Sequence, residues 1–257
     1  MTFATLPAKL PIKRRPEGKT PDSASAPQTS VICKFTFMPT LSQVELVRRL
    51  EHTLVRPEAT RQDLEKVCAT ARARGFHSVC VGGSRVELAR TLLEDSEVKV
   101  TGLVGFPLGA ADADAKRYET EVAIDQGAQE IEAVLNLGRL KDGDHHYVLR
   151  ELRDIAEAAD ERPVKVILET SLLTPEERDL ACQLVLDSGA HCVCTGTGLR
   201  AAATTEDVRS LRAAVGVKFG VKAVGLSDLQ GAIALIEAGA TRLGTVESVA
   251  LLSLLPG

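Results

Sequence analysis

The sequence predicts an α/β protein in which eight strand–helix units close a parallel barrel. Three observations carry that prediction. From Glu51 onward, short β-branched runs (EHTLV, SVCV, VTGLVG, EIEAVLN, VKVILET, CVCTGT, VKAVG and TRLGT) alternate with longer segments of helical period. The strand candidates number eight, as a closed (β/α)8 barrel requires. Most read as near-continuous apolar runs, the pattern of strands covered on both faces. The 257 residues, 44% of them hydrophobic, suffice for one large core. A doubly wound open sheet is the competing architecture. No GxGxxG follows a strand and no GxxxxGKS/T occurs, and eight consecutive units exceed what an open sheet of this length usually holds.

Each helix has its own justification. Segments 112–126, 147–159, 175–188, 205–214 and 229–238 are rich in Ala, Leu, Glu and Arg, with apolar residues three and four apart. Thr174-Pro175-Glu176-Glu177 supplies an N-cap, a proline at the first helical position and acids in the first turn. Thr204-Thr205-Glu206-Asp207 and Ser227-Asp228 open two more helices, and Gly75, Gly127, Gly189 and Gly239 each end one just before a strand. Residues 1–30 mix Lys9, Lys13, Arg14 and Arg15 with five prolines and a Ser/Ala/Thr stretch, so they read as a flexible basic arm. Residues 31–257 read as the single barrel domain.

Composition excludes several function classes. The net charge is -4, which offers no basic field for nucleic acid or an acidic membrane. Trp is absent and Tyr occurs twice, so no aromatic platform exists for unpaired bases. No apolar run approaches the roughly 20 residues that cross a bilayer. Six cysteines (Cys33, Cys68, Cys80, Cys182, Cys192 and Cys194) lack CxxC spacing, and no secretory signal core begins the chain, which fits a reducing cytoplasm.

Some polar residues are out of place in a core. In the fourth strand, period 2 puts Glu130, Glu132, Val134 and Asn136 on one face and Ile131, Ala133 and Leu135 on the other. If the apolar face meets the helices, the carboxylates enter the barrel, where an unpaired charge is costly. Lys165 on the fifth strand and Lys222 on the seventh are candidate partners. These groups form either a structural ion pair or a site. Cys192 and Cys194 share a face of the sixth strand; inert packing is the default for each, and a thiolate nucleophile near lysines is the alternative. His191 falls on the other face, no further ligand presents itself, and no metal or cofactor is expected. His145-His146, after Lys141-Asp142-Gly143-Asp144, read as a solvated polar turn.

Longer motifs carry a resemblance. LEHTLVRPEAT (50–60), GFHSVCV (75–81), VGFPLGA (104–110), YETEVAIDQGAQEIEAVLNLGRLKDG (118–143), VKVILETSLLTPEE (164–177), TGTG (195–198), ATTEDV (203–208) and IEAGATRLGT (236–245) resemble the deoxyribose-phosphate aldolase family. The resemblance implies a TIM barrel and an origin in lysine Schiff-base chemistry on carbon–carbon bonds. Catalytic roles then fall to Lys222, Lys165, Glu132 and Cys194, and substrate contacts to Glu51, Asn136, Thr195, Thr197, Gly225 and Glu247. The departures lie on the chemistry. Cys194 stands where the family's VKTSTG motif has its reactive lysine, and a thiol cannot form an iminium. The family's first- and fourth-strand aspartates become Glu51 and Glu132. Lys222 matches the lysine of GVKASGG if a one-residue deletion follows; an ungapped alignment puts Val221 there instead. Where the family cradles phosphate on a Gly-Gly turn and a serine-bearing helix start, this chain has Val224-Gly225 and Val246-Glu247.

The expectation is an aldolase-fold enzyme acting on a small carbonyl compound other than deoxyribose 5-phosphate, by an aldol, retro-aldol or cyclisation step. It is expected to be a homo-oligomer, a dimer, binding neither nucleic acid nor membrane. A non-catalytic binding relative and deoxyribose-phosphate aldolase activity rerouted through Lys222 are the alternatives. Proximity of Lys165 is expected to lower the pKa of Lys222, and the same cations to favour a Cys194 thiolate.

Overall fold

The computed structural model describes residues 42–226, 228–248 and 251; the basic arm and Cys33 lie outside them. Eight strands form a closed barrel in chain order: β1 (Leu50–Leu54), β2 (Ser78–Gly82), β3 (Lys99–Val104), β4 (Glu130–Val134), β5 (Val164–Ile167), β6 (Cys192–Cys194), β7 (Gly220–Val224) and β8 (Arg242–Thr245). Every neighbouring pair is parallel, including β8 with β1. All eight coincide with the runs named from sequence.

The helices are α1 (Gln43–Val47), α2 (Arg61–Arg74), α3 (Val86–Leu92), α4 (Ala113–Asp125), α5 (Leu137–Lys141), α6 (His145–Ala158), α7 (Pro175–Asp187), α8 (Thr205–Val215) and α9 (Leu229–Glu237). Thr174 closes a capping box with Glu177, and Thr204 does so with Asp207. Gly75, Gly127, Gly189 and Gly239 all follow helices at positive φ, the backbone region that a Cβ disfavours. His145 and His146 depart from the expected turn. Asp144 accepts from the Tyr147 N–H and so starts α6 at His145, leaving both imidazoles exposed in its first turn. No helix among the described residues is long and apolar enough to cross a membrane.

Strand parity divides the side chains. Val79, Val100, Ile131, Val166, Val221 and Leu243 face outward into the main core, where they pack with helix residues such as Leu64, Leu152 and Leu211. Between sheet and helices lies a fully buried ion pair: Lys116 of α4 donates to Glu151 of α6 at 2.7 Å and to the Val134 carbonyl at 2.9 Å.

The inward face is largely ionic. Lys165 Nζ donates to Glu51 Oε2 at 2.7 Å and to Glu130 Oε2 at 2.9 Å, with Thr101 Oγ1 at 3.4 Å. Glu130 Oε1 receives His77 Nε2 at 2.9 Å and Lys99 Nζ at 3.2 Å. Lys222 Nζ donates to the same Glu51 Oε2 at 2.7 Å and to Glu132 Oε2 at 2.5 Å. The barrel is therefore plugged by alternating charges. Register explains the stacking: Glu132 pairs with Lys165 across β4–β5, and Cys194 with both Ile167 and Lys222 across β5–β6–β7.

Burial alone would raise the Glu51 pKa, but Lys165 and Lys222 outweigh it and hold the group down at about 2, against 4.5 ordinarily. A carboxyl whose pKa is depressed on folding contributes stability that is complete above its unfolded value and lost as pH falls through its folded one. Acid titration followed by circular dichroism is expected to show stability falling between about pH 4.5 and 2, and Glu51→Gln should flatten that loss. For the outer pair, Glu151→Ala is expected to cost about 3–5 kcal/mol in urea unfolding because it strands a buried ammonium, while Lys116→Met with Glu151→Leu should recover most of it.

Candidate active site

At the C-terminal end of the barrel, where (β/α)8 barrels place their chemistry, a cavity of about 230 Å³ opens among the strand ends. Its walls are mainly apolar: Val55, Leu103, Phe106, Ile167, Leu199, Val224, Leu226 and Val246. Its floor carries Glu132 and Lys222, the two charged residues of the lining. β4 and β7 deliver them inward by parity. Glycine at 244 makes room for the lysine, since a Cβ there would meet Lys222 Cε at 2.7 Å. Cys80 of β2 also lines the cavity, 3.7 Å from Glu132 Oε2 as a weak donor.

Lys222 points inward, so the gapped alignment gives the right register and Val221 faces the core. Its electrostatics correct the expectation. Burial favours the neutral amine, but Glu132 and Glu51 dominate and raise the pKa well above 10.5. Lys165, whose cation was expected to lower it, is itself held by Glu51 and Glu130, and its own pKa is raised. Cys194 corrects in the opposite sense. It is fully buried and absent from the cavity lining, packed with Val134, Ile167 and Cys192. Burial, then Cys192 and Glu132, push its thiol well above 9, and Lys222 does not compensate. The neutral thiol predominates near pH 7.

The remaining predicted residues separate into those at the cavity and those elsewhere. Thr197 and Gly225 line it. Thr197 gives its N–H to Glu169 Oε1. Lys165 and Glu51 do not reach it; both line a second opening at the N-terminal end of the barrel. Asn136 does not line it either, because its side chain caps α5 by accepting the Arg139 N–H at 3.2 Å. Thr195 is buried and accepts the Val224 N–H at 3.2 Å, a strand-end contact. Glu247 is exposed and outside the lining, where Thr245 and Val246 stand instead. Sequence reasoning missed Thr53, Cys80, Leu103 and Gly244. Strand parity carried forward from Glu51 and Ser78 would have found the first two.

Among the described residues, one trio of possible metal ligands, Glu51, His77 and Glu130, has its ligand atoms within 4.8 Å of one another. The Lys165 ammonium already bonds both carboxylates, so the cation this trio calls for is a side chain.

Comparison with known proteins agrees with this geometry. Residues 48–202 match the family described as DeoC/LacD family aldolase. A deoxyribose-phosphate aldolase of Alkaliphilus oremlandii is 44% identical over 213 residues, covering 82% of this chain and 96% of the relative. That of Bdellovibrio bacteriovorus is 46% identical over 211 residues, covering 81% and 96%. Among solved structures, the tetrameric deoxyribose phosphate aldolase of Aeropyrum pernix superposes with a TM-score of 0.77 at 28% identity, covering 82% of this chain and 91% of that one. The chain belongs to the DeoC/LacD aldolase family, and is an enzyme of that carbon–carbon lyase class.

Proposed function

We propose that the enzyme catalyses an aldol, retro-aldol or ring-closing step on a small carbonyl compound other than deoxyribose 5-phosphate, with Lys222 as the amine and Glu132 as its proton partner. One observation carries the reading: Lys222 is the lysine on the floor of the cavity, and its Nζ lies 2.5 Å from Glu132 Oε2. Residue 194 is a cysteine, which cannot form an iminium. Amine chemistry in this cavity therefore falls to Lys222.

The resting Lys222 is an ammonium and must lose a proton to attack. Glu132 is placed to take it when a carbonyl carbon approaches the amine. The N–C bond then forms as the carbonyl π pair moves to oxygen. The proton on Glu132 passes to that oxygen; Glu132 then takes a second proton from the nitrogen and delivers it to the resulting hydroxyl, which leaves as water, and an iminium remains. In the cleaving direction, the Cα–Cβ electrons flow into the iminium, giving an enamine and releasing an aldehyde as the β-hydroxyl proton departs to a base. Glu132, again a carboxylate, is the nearest candidate base. Glu51, itself bonded to Lys165, holds Lys222 from below, and the two act as positioning residues.

The apolar end of the cavity supports a substrate without phosphate there. Val224, Leu226 and Val246 offer a dianion no charge, and the Gly225 N–H is committed to the Gly244 carbonyl at 3.2 Å. A second reading, deoxyribose 5-phosphate cleavage rerouted through Lys222, is favoured by the names of relatives at 44–46% identity. A homo-oligomeric state belongs to either reading, supported by the tetrameric relative.

Incubation with acetaldehyde or propanal followed by borohydride is expected to fix the adduct on Lys222, as read by peptide mass spectrometry, with trapping faster as pH rises above neutrality. Absence of an adduct with every aldehyde, or its appearance elsewhere, would reject the amine assignment. Cys194→Ser should trap at a rate within about threefold of the parent, because the thiol lies beneath the cavity and is neutral. Deoxyribose 5-phosphate should be cleaved negligibly; turnover like that of an ordinary aldolase would establish the second reading.

A further inference from the structure

Beside the mouth of the barrel lies a second cavity, of about 240 Å³, between the segments that follow β1 and β2. It shares Val55, Leu103 and Phe106 with the cavity over Lys222, so the two meet along one wall. Their chemistry differs. The second is lined by Arg56, Arg85, Ser84 and Glu119, and by Gly82 and Gly83. A Cβ on either glycine would meet nothing within 4 Å, so the glycine pair leaves open space.

Arg56 is exposed and already paired with Glu58 at 3.2 Å and Asp63 at 3.4 Å. Arg85 is different. It is half-buried, spends one donor on the Ala59 carbonyl at 2.9 Å, and makes no ion pair among the described residues. A guanidinium carries five donors in a fork suited to a carboxylate. Glu119, which accepts the Gly105 N–H at 2.7 Å, brings a negative charge to the same cavity. That charge penalises a dianion more than a monoanion.

We propose that the cavity formed by Gly82, Gly83, Ser84 and Arg85 is a substrate subsite that binds a carboxylate, with Arg85 as its anchor, while the reacting carbonyl sits over Lys222. The proposal rests on the amine reading above. It moves the anionic end of the substrate from the β7–β8 side of the mouth to the β1–β2 side, and so accounts for an apolar β7–β8 end in an enzyme of this family.

Two measurements separate the subsite from the amine. In borohydride trapping, 6-oxohexanoate should be fixed on Lys222 at about tenfold lower concentration than hexanal, and Arg85→Gln should erase that preference while leaving hexanal trapping unchanged. Equal trapping of the two aldehydes by the parent enzyme would overturn the subsite and leave the amine reading standing. Calorimetric titration with hexanoate reads the subsite without any imine. Binding that weakens about tenfold in Arg85→Gln supports it even if no aldehyde traps, whereas absent or unchanged binding overturns it. Ser84→Glu, at an exposed position, should weaken hexanoate in the same way with Arg85 intact, and covers the case in which Arg85→Gln does not fold. Tighter Arg85-dependent binding of hexyl phosphate than of hexanoate would overturn the carboxylate assignment.

Discussion

A single carboxylate oxygen, Glu51 Oε2, holds two buried ammonium groups at 2.7 Å each, and the interior of the barrel is arranged around it. Removing charges from water costs several kcal/mol per ion unless partners and hydrogen bonds replace the solvent. Here the replacement is a column: Glu132, Lys222, Glu51, Lys165 and Glu130 alternate in sign, with His77 and Lys99 attached to Glu130. Only the upper end of the column meets the cavity at the mouth. Its lower members, Glu51, Lys165 and Glu130, form the ionic support beneath Lys222.

The same array sets the character of the amine. An isolated buried lysine would shed its proton; this one keeps it, because two carboxylates lie within bonding distance. Lys222 is therefore not a poised neutral nucleophile but an ammonium held between Glu51 and Glu132, and in the proposed mechanism Glu132 would serve as both the base and the acid of imine formation. The thiol of Cys194 receives no such help. It adjoins Lys222 in register, yet burial and the Glu132 carboxylate keep it protonated.

Much of this was legible in the sequence. The barrel follows from eight apolar runs and their caps, because local rules of period and capping act within a few residues. The inward placement of Glu130, Glu132, Lys165 and Lys222 follows from alternation along single strands. What alternation does not give is depth along the axis. Glu51 and Lys165 lie too deep to reach the mouth, while Thr53 and Cys80 lie at its level. Asn136 and Thr195 were drawn from motifs whose polar side chains satisfy backbone N–H groups at strand and helix ends. The expected pKa of Lys222 failed for a similar reason: a sequence shows that two lysines are near but not that two glutamates are bonded to the second.

The central claim is that Lys222 rests as an ammonium shared with Glu132 and Glu51. Its most direct test is the pH titration of the lysine Nζ resonance by nitrogen NMR in protein labelled at lysine, with Lys222→Met assigning the signal. The account predicts that Lys222 stays protonated beyond pH 10.5 and that Glu132→Gln moves its midpoint downward. A midpoint near neutrality in the parent enzyme, or one unmoved by Glu132→Gln, would contradict it.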